Sequence, residues 1–128
     1  YFAAKAAYAE HLTTALENAE VLTRQSASDF VEFDLWLTPT MAAPSPELGY
    51  LNGNDVEGMA KVLPFSTFTG IYNITGQPAM SVPCGVDSNG VPVGVQFAAR
   101  YGDEALLLRL AAQLEQAAPW PTAPTWPL

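Results

Sequence analysis

Charged side chains are scarce in this sequence of 128 residues, of which only 14% are Asp, Glu, Lys or Arg, while 49% are hydrophobic. A free-standing domain usually carries about 25% charged residues. The shortage of charge therefore predicts that part of the surface is covered by other protein, either the rest of a longer chain or an oligomer partner. The length is enough for one domain or partial domain over residues 1–128.

Basic residues are especially few, since five Lys and Arg stand against 13 Asp and Glu and give a net charge of −8. The five are scattered along the chain, so they form no surface that could neutralise phosphates. The same acidity disfavours anionic membranes, and no apolar run is long enough to cross a bilayer. We therefore expect neither nucleic acid nor membrane as a partner.

Cysteine and histidine occur once each, as Cys84 and His11. A single cysteine cannot form an internal disulfide, which is compatible with a reducing compartment, and we expect a cytoplasmic location. One His and one Cys cannot complete a zinc site without carboxylates, so no metal site is predicted. The chain begins with Tyr1 rather than Met, and we expect its natural beginning to lie elsewhere.

The N-terminal fifth of the chain shows helical spacing of apolar residues, which predicts one long helix over residues 2–27. A continuous apolar run without alternation follows at Leu35–Leu37. Such a run is typical of a strand that is covered on both faces, as in a mixed sheet between helices. Pro39 is expected to end this strand because proline cannot donate to a central ladder.

The middle of the chain predicts two short helices. Asp55 is expected to cap the first, Val56–Leu63, which Pro64 ends. Apolar residues at i, i+3, i+6 and i+7 predict the second helix within residues 65–75. Gly76 suits the C-terminal end of that helix, where a left-handed conformation is needed.

Two alternating segments, Pro78–Val86 and Val91–Ala99, predict a pair of strands joined by the turn residues Asp87–Gly90. The second strand has a large face and a small face, and the small face is expected to lie close to a helix or backbone. The large face carries Val93, Val95 and Phe97, and the small face carries Gly94, Gln96 and Ala98. Asp103 starts a last helix, and a proline-rich extended tail follows over residues 119–128.

Three motifs stand in a characteristic order along residues 30–120. They are D-L-W-L-T-P-T at Asp34–Thr40, N-I-T-G-Q-P-A-M-S-V-P-C-G-V-D-S-N-G-V-P-V-G-V-Q-F-A-A at Asn73–Ala99 and the acidic, leucine-rich helix of Asp103–Trp120. Together they resemble the C-terminal part of the amidase signature family, which are serine hydrolases that cut amide bonds. The resemblance implies an α/β fold in which a mixed β-sheet, with about three strands here, packs between helices.

The resemblance also implies the activity of the whole enzyme. A carboxylic amide and water would give an acid and ammonia or an amine, through an acyl-serine intermediate and with no metal or organic cofactor. The partners implied are a small-molecule amide and the missing N-terminal part of the same enzyme.

The catalytic residues implied by the resemblance are two serines, in a Gly-Gly-Ser-Ser-type loop, and a lysine. This sequence contains no Gly-Gly pair, and its two lysines, Lys5 and Lys61, lie outside the family's lysine context. Ser81 stands in the middle of a predicted strand, and Cys84 has no basic residue near it in the sequence to activate it. We therefore expect no catalytic residue in this chain and no activity from the chain alone.

One segment before the paired strands combines apolar side chains with hydroxyls and an amide, a mixture that suits the wall of a small-molecule pocket. The resemblance implies that this segment approaches the acyl-binding cavity. The alternative is that its aromatic residues are simply core, and the sequence leaves both interpretations open. The predicted substrate-binding residues are Phe65, Thr67, Phe68, Thr69, Tyr72 and Asn73.

Two other functions remain open. The chain could belong to the amidase subunit of a glutamyl-tRNA amidotransferase complex, or it could be a non-catalytic binding or assembly module. In either case, a partial sheet exposes edges and apolar faces that invite pairing with another copy, so a homo-oligomer remains open as well.

Overall fold

The computed structural model describes residues 2–51 and 56–120. Three strands and four α-helices lie in this part of the chain, and one 3₁₀ helix joins two of the α-helices. In chain order they are α1 (Phe2–Asp29), β1 (Leu35–Pro39), α2 (Val56–Val62), the 3₁₀ helix (Leu63–Phe65), α3 (Gly70–Thr75), β2 (Ala79–Val86), β3 (Pro92–Ala99) and α4 (Glu104–Ala117).

Strand β3 is the centre of the sheet, because it pairs antiparallel with β1 on one side and with β2 on the other. The register aligns Leu37, Phe97 and Met80 in one row and Thr38, Gln96 and Ser81 in the next. The predicted α/β class and the number of strands are confirmed. Both pairings are antiparallel, so no parallel pair of a mixed sheet lies among the described strands.

One face of the sheet carries the buried core. Phe30 directly after α1, Tyr72 of α3 and Ala98 of β3 form a cluster, against which Ile71 packs. The ring of Phe30 also lies 5.1 Å from that of Phe33 and 6.0 Å from that of Trp36, measured between centroids. The small face of β3 therefore lies against helices, as its sequence predicted.

The opposite face is covered by α4, which packs against β2 and β3. Leu107 is the buried residue of this helix. Val95 and Phe97 line the same cavity as Leu114 of α4, so the large face of β3 points toward this helix. The predicted orientation is thus confirmed at Val95 and Phe97.

The second predicted helix within residues 65–75 is wrong at its start, because α3 begins only at Gly70. Pro64 lies in the 3₁₀ helix, and the turn after it is closed by side-chain hydroxyls. Thr67 Oγ1 donates to the carbonyl of Leu63, and Thr69 Oγ1 donates to that of Ser66. Such local bonds compete with a regular helix and explain the interruption.

The predicted helix end at Gly76 is confirmed. Gly76 has a φ of 72°, and its N–H donates to the carbonyl of Tyr72 over 3.0 Å. Helix α2 ends at Val62, one position before the predicted end. The expected cap Asp55 and residues 121–128 of the predicted tail lie outside the described residues.

Strand β1 is not covered on both faces by the described residues, contrary to the prediction from its continuous apolar run. Trp36 is 38% exposed and Leu37 is 58% exposed. Because successive side chains of a strand point to opposite faces, each face of β1 leaves an apolar side chain on which further protein could pack. Among the described helices, none combines the length and hydropathy required to cross a membrane.

Candidate functional site

The predicted substrate-binding residues lie on one short stretch that runs from the 3₁₀ helix into α3. Phe65 ends the 3₁₀ helix, whereas Tyr72 and Asn73 belong to α3. Phe65 and Phe68 are both half-buried. The ring of Phe65 meets that of Tyr50 edge-on, with 6.2 Å between centroids and an interplanar angle of 75°. The stretch thus presents partly accessible aromatic surface beside the loop that contains Tyr50.

The two threonine hydroxyls of this stretch are oriented by their own turn. Thr67 Oγ1 lies 3.2 Å from the carbonyl oxygens of Leu63 and Pro64, and Thr69 Oγ1 lies 3.2 Å from that of Ser66. Because each hydroxyl has one hydrogen and two lone pairs, donation to these carbonyls leaves the lone pairs as acceptors. Such acceptors can bind the N–H of an amide.

Tyr72 and Asn73 are neighbours in α3 but have different surroundings. Tyr72 is only 9% exposed and packs in the core with Phe30 and Ala98, whereas Asn73 is exposed. Desolvation by burial raises the pKa of the Tyr72 phenol above its ordinary value. The core interpretation of the aromatic residues therefore fits Tyr72, while the binding role of the whole set stays a prediction.

A buried glutamine links this stretch to the sheet. Gln96 of β3 is 5% exposed, and its Nε2 donates to the carbonyl of Phe68 over 3.0 Å and to Thr38 Oγ1 over 3.2 Å. Sequence reasoning placed Gln96 on the small face of β3 and gave it no role at the site. The sequence signal for such a role was that Gln96 places a polar amide between Gly94 and Ala98, on a face of β3 that was expected to be closely packed.

A pair of hydroxyls lies near the ends of β1 and β2. Thr40 Oγ1 and Ser81 Oγ share a hydrogen bond of 2.6 Å and line a cavity of about 370 Å³ together with Ser45 and Gly94. Activation of a serine nucleophile requires a base, and the described residues that line this cavity include no lysine or histidine. This geometry does not give Ser81 the features of a nucleophile.

The other reactive side chains are exposed. Cys84 lies on β2 near its irregular pairing with β3 between Pro83 and Gly85, and its thiol is free. His11 lies on an exposed part of α1. Among residues 2–51 and 56–120, no three His, Cys, Asp or Glu side chains come together in a group that could hold a metal ion.

A second cavity, of about 430 Å³, lies where α1 meets the end of α3 and is lined by residues that include Phe30, Gln77 and Arg100. Gln77 is buried, and its Oε1 accepts hydrogen bonds from Ser26 over 2.5 Å and from Thr75 over 3.0 Å. Its Nε2 has no partner among the described residues. This amide thus ties α1 to the end of α3 with its oxygen alone.

Comparison with known protein families identifies one match, to the amidase family, over residues 1–108. AmiC of Mycobacterium leprae, which is named as an amidase, is 41% identical over 110 residues, or 85% of this chain and 24% of AmiC. The 6-aminohexanoate-cyclic-dimer hydrolase of Paenarthrobacter ureafaciens is 46% identical over 96 residues, or 69% of this chain and 20% of the hydrolase. The chain thus spans about a quarter of the length of these relatives.

Solved structures give a similar picture. A structure of 6-aminohexanoate cyclic dimer hydrolase matches 77% of this chain with a TM-score of 0.65 and 41% identity, and the match covers 23% of that structure. One subunit of the glutamyl-tRNA(Gln) amidotransferase of Thermotoga maritima matches 93% of this chain with a TM-score of 0.74 and 30% identity, and the match covers 25% of that protein.

Proposed function

Because this chain belongs to the amidase family, we propose that it forms the C-terminal structural and substrate-pocket portion of a serine amidase. The whole enzyme hydrolyses a carboxylic amide to an acid plus ammonia or an amine. The observation that carries this proposal is the breadth of the match, which covers most of this chain but only about a quarter of its relatives.

Catalysis in the proposed enzyme comes from residues outside this chain. A serine oxygen attacks the amide carbon, the C–N bond breaks, and the amine leaves with a proton. Water then hydrolyses the acyl-serine ester and returns the proton to the serine. The absence of a Gly-Gly pair from the sequence supports placing the Ser-Ser-Lys triad elsewhere.

The chain's own contribution to binding is the stretch from Phe65 to Asn73. Phe65 and Phe68 supply half-buried apolar surface for the acyl group. The lone pairs of Thr67 and Thr69 supply acceptors whose positions are fixed by the turn, which suits them to the N–H of an amide. Tyr72 supports the stretch from beneath, as part of the core.

The first test compares the purified 128-residue chain with the full-length enzyme in an assay of amide hydrolysis. We expect turnover from the full-length enzyme and none from the chain alone. Turnover by the chain alone that is abolished by Ser81→Ala or Cys84→Ala would contradict the proposal.

The second test concerns the pocket. Phe68→Ala in the full-length enzyme should change the ratio of kcat/KM values between amides with small and large acyl groups, because it removes apolar surface from the pocket. Phe33→Ala is the matched control, since it removes the same ring from the Phe30–Trp36 cluster. An unchanged ratio in Phe68→Ala would make Phe68 a core residue.

A second candidate function is the amidase subunit of a glutamyl-tRNA amidotransferase. The similarity to the Thermotoga protein over 93% of the chain favours it. The discriminating experiment is copurification of the full-length protein from its host, followed by an assay for ammonia transfer to tRNA-bound glutamate. A non-catalytic binding or assembly module is instead indicated when the upstream coding sequence lacks the Gly-Ser-Ser loop and the lysine.

The proposed partner of this chain is the N-terminal part of the same enzyme, and the exposed side chains of β1 are the surface it would cover. In its absence, the sheet edges favour association with a second copy. We further propose a cytoplasmic location for the enzyme, which cell fractionation of the host would test.

A further inference from the structure

We propose that Gln96 is a positioning residue that sets acyl selectivity by holding the backbone of Phe68 in place. This inference rests on the proposed function, since it takes Phe68 as part of the pocket wall. The geometry that carries it is one buried amide that joins the central strand to the pocket stretch, with Nε2 at 3.0 Å from the Phe68 carbonyl oxygen.

Both hydrogens of the Gln96 amide are used. A glutamine NH₂ group has two donors, and here one meets Phe68 O while the other meets Thr38 Oγ1 at 3.2 Å. The two acceptors lie on different elements, since Thr38 belongs to β1 and Phe68 precedes α3. Since Gln96 is 5% exposed, water has little access to compete for these bonds.

The strand that carries Gln96 holds it in a fixed position. Gln96 is on β3, and its backbone position pairs with Thr38 of β1 and with Ser81 of β2. Groups held on a strand with neighbours on both sides are positioned more precisely than groups held on loops.

The backbone that Gln96 contacts lies outside the helices. Phe68 lies in the interruption between the 3₁₀ helix and α3, where no regular helix fixes the backbone. The local bonds of the interruption join residues only three or four positions apart. Gln96, which is 28 positions away from Phe68, connects this interruption to the sheet.

The test replaces Gln96 with methionine in the full-length enzyme, because Gln96→Met keeps the length of the side chain but removes both donors. We expect the ratio of kcat/KM values between a small and a large acyl amide to change by roughly tenfold, since small misplacements at an active site have large kinetic effects. A mere loss of folded enzyme lowers both values equally and leaves their ratio unchanged.

Thr38→Val is the matched control. It removes the acceptor of the other Gln96 hydrogen while leaving the bond to Phe68 O available. We expect Thr38→Val to lower the melting temperature with little effect on the ratio. An equal change of the ratio in Thr38→Val and Gln96→Met would overturn the proposal, because the effect would then come from the sheet and not from Phe68.

The double variant Gln96→Met/Phe68→Ala separates this proposal from the proposed function. If Gln96 acts through Phe68, the two changes are not additive, and Gln96→Met alters the ratio little once the ring is gone. A ratio that responds to Phe68→Ala but not to Gln96→Met overturns the role of Gln96 alone. A ratio that responds to neither overturns the pocket as well.

Gln96→Glu provides a second variant where Gln96→Met does not fold. A protonated carboxyl has one O–H that can donate to Phe68 O, whereas a carboxylate has none. Burial raises the pKa of a carboxyl, so the neutral acid is favoured at the lower end of the assayed pH range and is lost toward the upper end. We expect the ratio of this variant to approach that of the wild type at the lower pH and to depart from it at the higher pH. A departure that is equal at both pH values would overturn the proposal.

Discussion

Thr40 Oγ1 and Ser81 Oγ lie 2.6 Å apart, although Thr40 follows β1 and Ser81 belongs to β2, the two outer strands of the sheet. Strand β3 lies between them, and the two hydroxyls meet above Gly94 of that strand. The backbone N–H of Thr40 also donates to the carbonyl of Gly94 over 3.2 Å. The contact between Thr40 and Ser81 therefore depends on Gly94 of the central strand, which has no side chain to separate the two hydroxyls.

Gly94→Ala should destabilise the chain by about 1–3 kcal/mol, the usual cost of overpacking. A Cβ at this position would lie 2.8 Å from Ser81 Oγ and 3.0 Å from Thr40 Oγ1, so that the hydroxyl pair must move apart. Urea denaturation of the wild type and the variant measures the difference.

Gly70→Ala is the matched control for this substitution, because a Cβ at Gly70 meets no atom within 4 Å. We expect it to be neutral or to stabilise by about 0.4–1 kcal/mol, since alanine restricts the unfolded chain. An equal loss of stability in both variants would mean that the hydroxyl pair does not restrict position 94.

Gly76→Val should destabilise by about 1 kcal/mol or more. Gly76 has a φ of 72°, which β-branched residues strongly disfavour, and a Cβ would lie 3.3 Å from the ring of Tyr101. Gly76→Asn meets the same ring but tolerates the left-handed region, so its loss should be smaller. Thermal melts of both variants provide the comparison, and a neutral Gly76→Val would refute the helix cap.

The stability of the chain should fall at alkaline pH through Tyr72. Its pKa in the folded state is raised above the ordinary value of 10.0 because burial disfavours the phenolate. Above about pH 10 the unfolded state therefore loses the proton first, and the free energy of unfolding decreases as the pH rises. Below that pH both states are protonated, and this stabilisation is fully present.

Tyr72→Phe should remove this part of the pH dependence, as measured by urea denaturation between about pH 8 and pH 11. Tyr101→Phe, at a largely exposed tyrosine, is the control and should retain it. An identical pH profile for the wild type and Tyr72→Phe would contradict the prediction.

The isolated 128-residue chain should associate with itself in a concentration-dependent manner, because Leu37 on the outer strand β1 is largely exposed. Leu37→Lys should shift the chain toward monomer in sedimentation velocity. Leu48→Lys, at an exposed leucine of the loop that follows β1, should have little effect. A wild-type chain that remains monomeric at all concentrations would refute association through this strand.

The local elements were largely predictable because their signals are local. The alternation of residues 91–99 and the turn chemistry of Asp87–Gly90 predicted the β2–β3 pair, and both strands and their turn are present. Gly76 identified the end of α3 for the same reason, since its conformation depends on its immediate neighbours.

The start of α3 was not predictable from apolar spacing, since hydroxyls decide it. Thr67 and Thr69 bond back to carbonyls of the preceding turn and interrupt the helix before Gly70. The spacing of apolar residues, on which the helix prediction rested, contains no information about hydrogen bonds from hydroxyls to backbone carbonyls.

The link at the candidate site was hidden for a different reason. Gln96 and Phe68 are 28 positions apart, and their bond joins a side chain to a backbone carbonyl. A backbone carbonyl has no signature in the sequence, so the residue mixture at positions 65–73 and the family resemblance predicted the candidate binding stretch but not the amide that bonds to it. The exposure of β1 was not predicted, because the apolar run Leu35–Leu37 indicates that the strand is buried but does not indicate which part of a protein buries it.

The central position of β3 also implies an order of folding, in which β3 pairs with β2 before it pairs with β1. Strands β2 and β3 are joined by a short turn, and such hairpins close within about 1–10 μs. Strand β1 must wait, because Thr38 and its partner Gln96 are 58 positions apart and a loop of that length closes against a larger entropic cost. During synthesis on the ribosome β1 emerges well before β3, so the apolar strand remains without its partner until the hairpin is made.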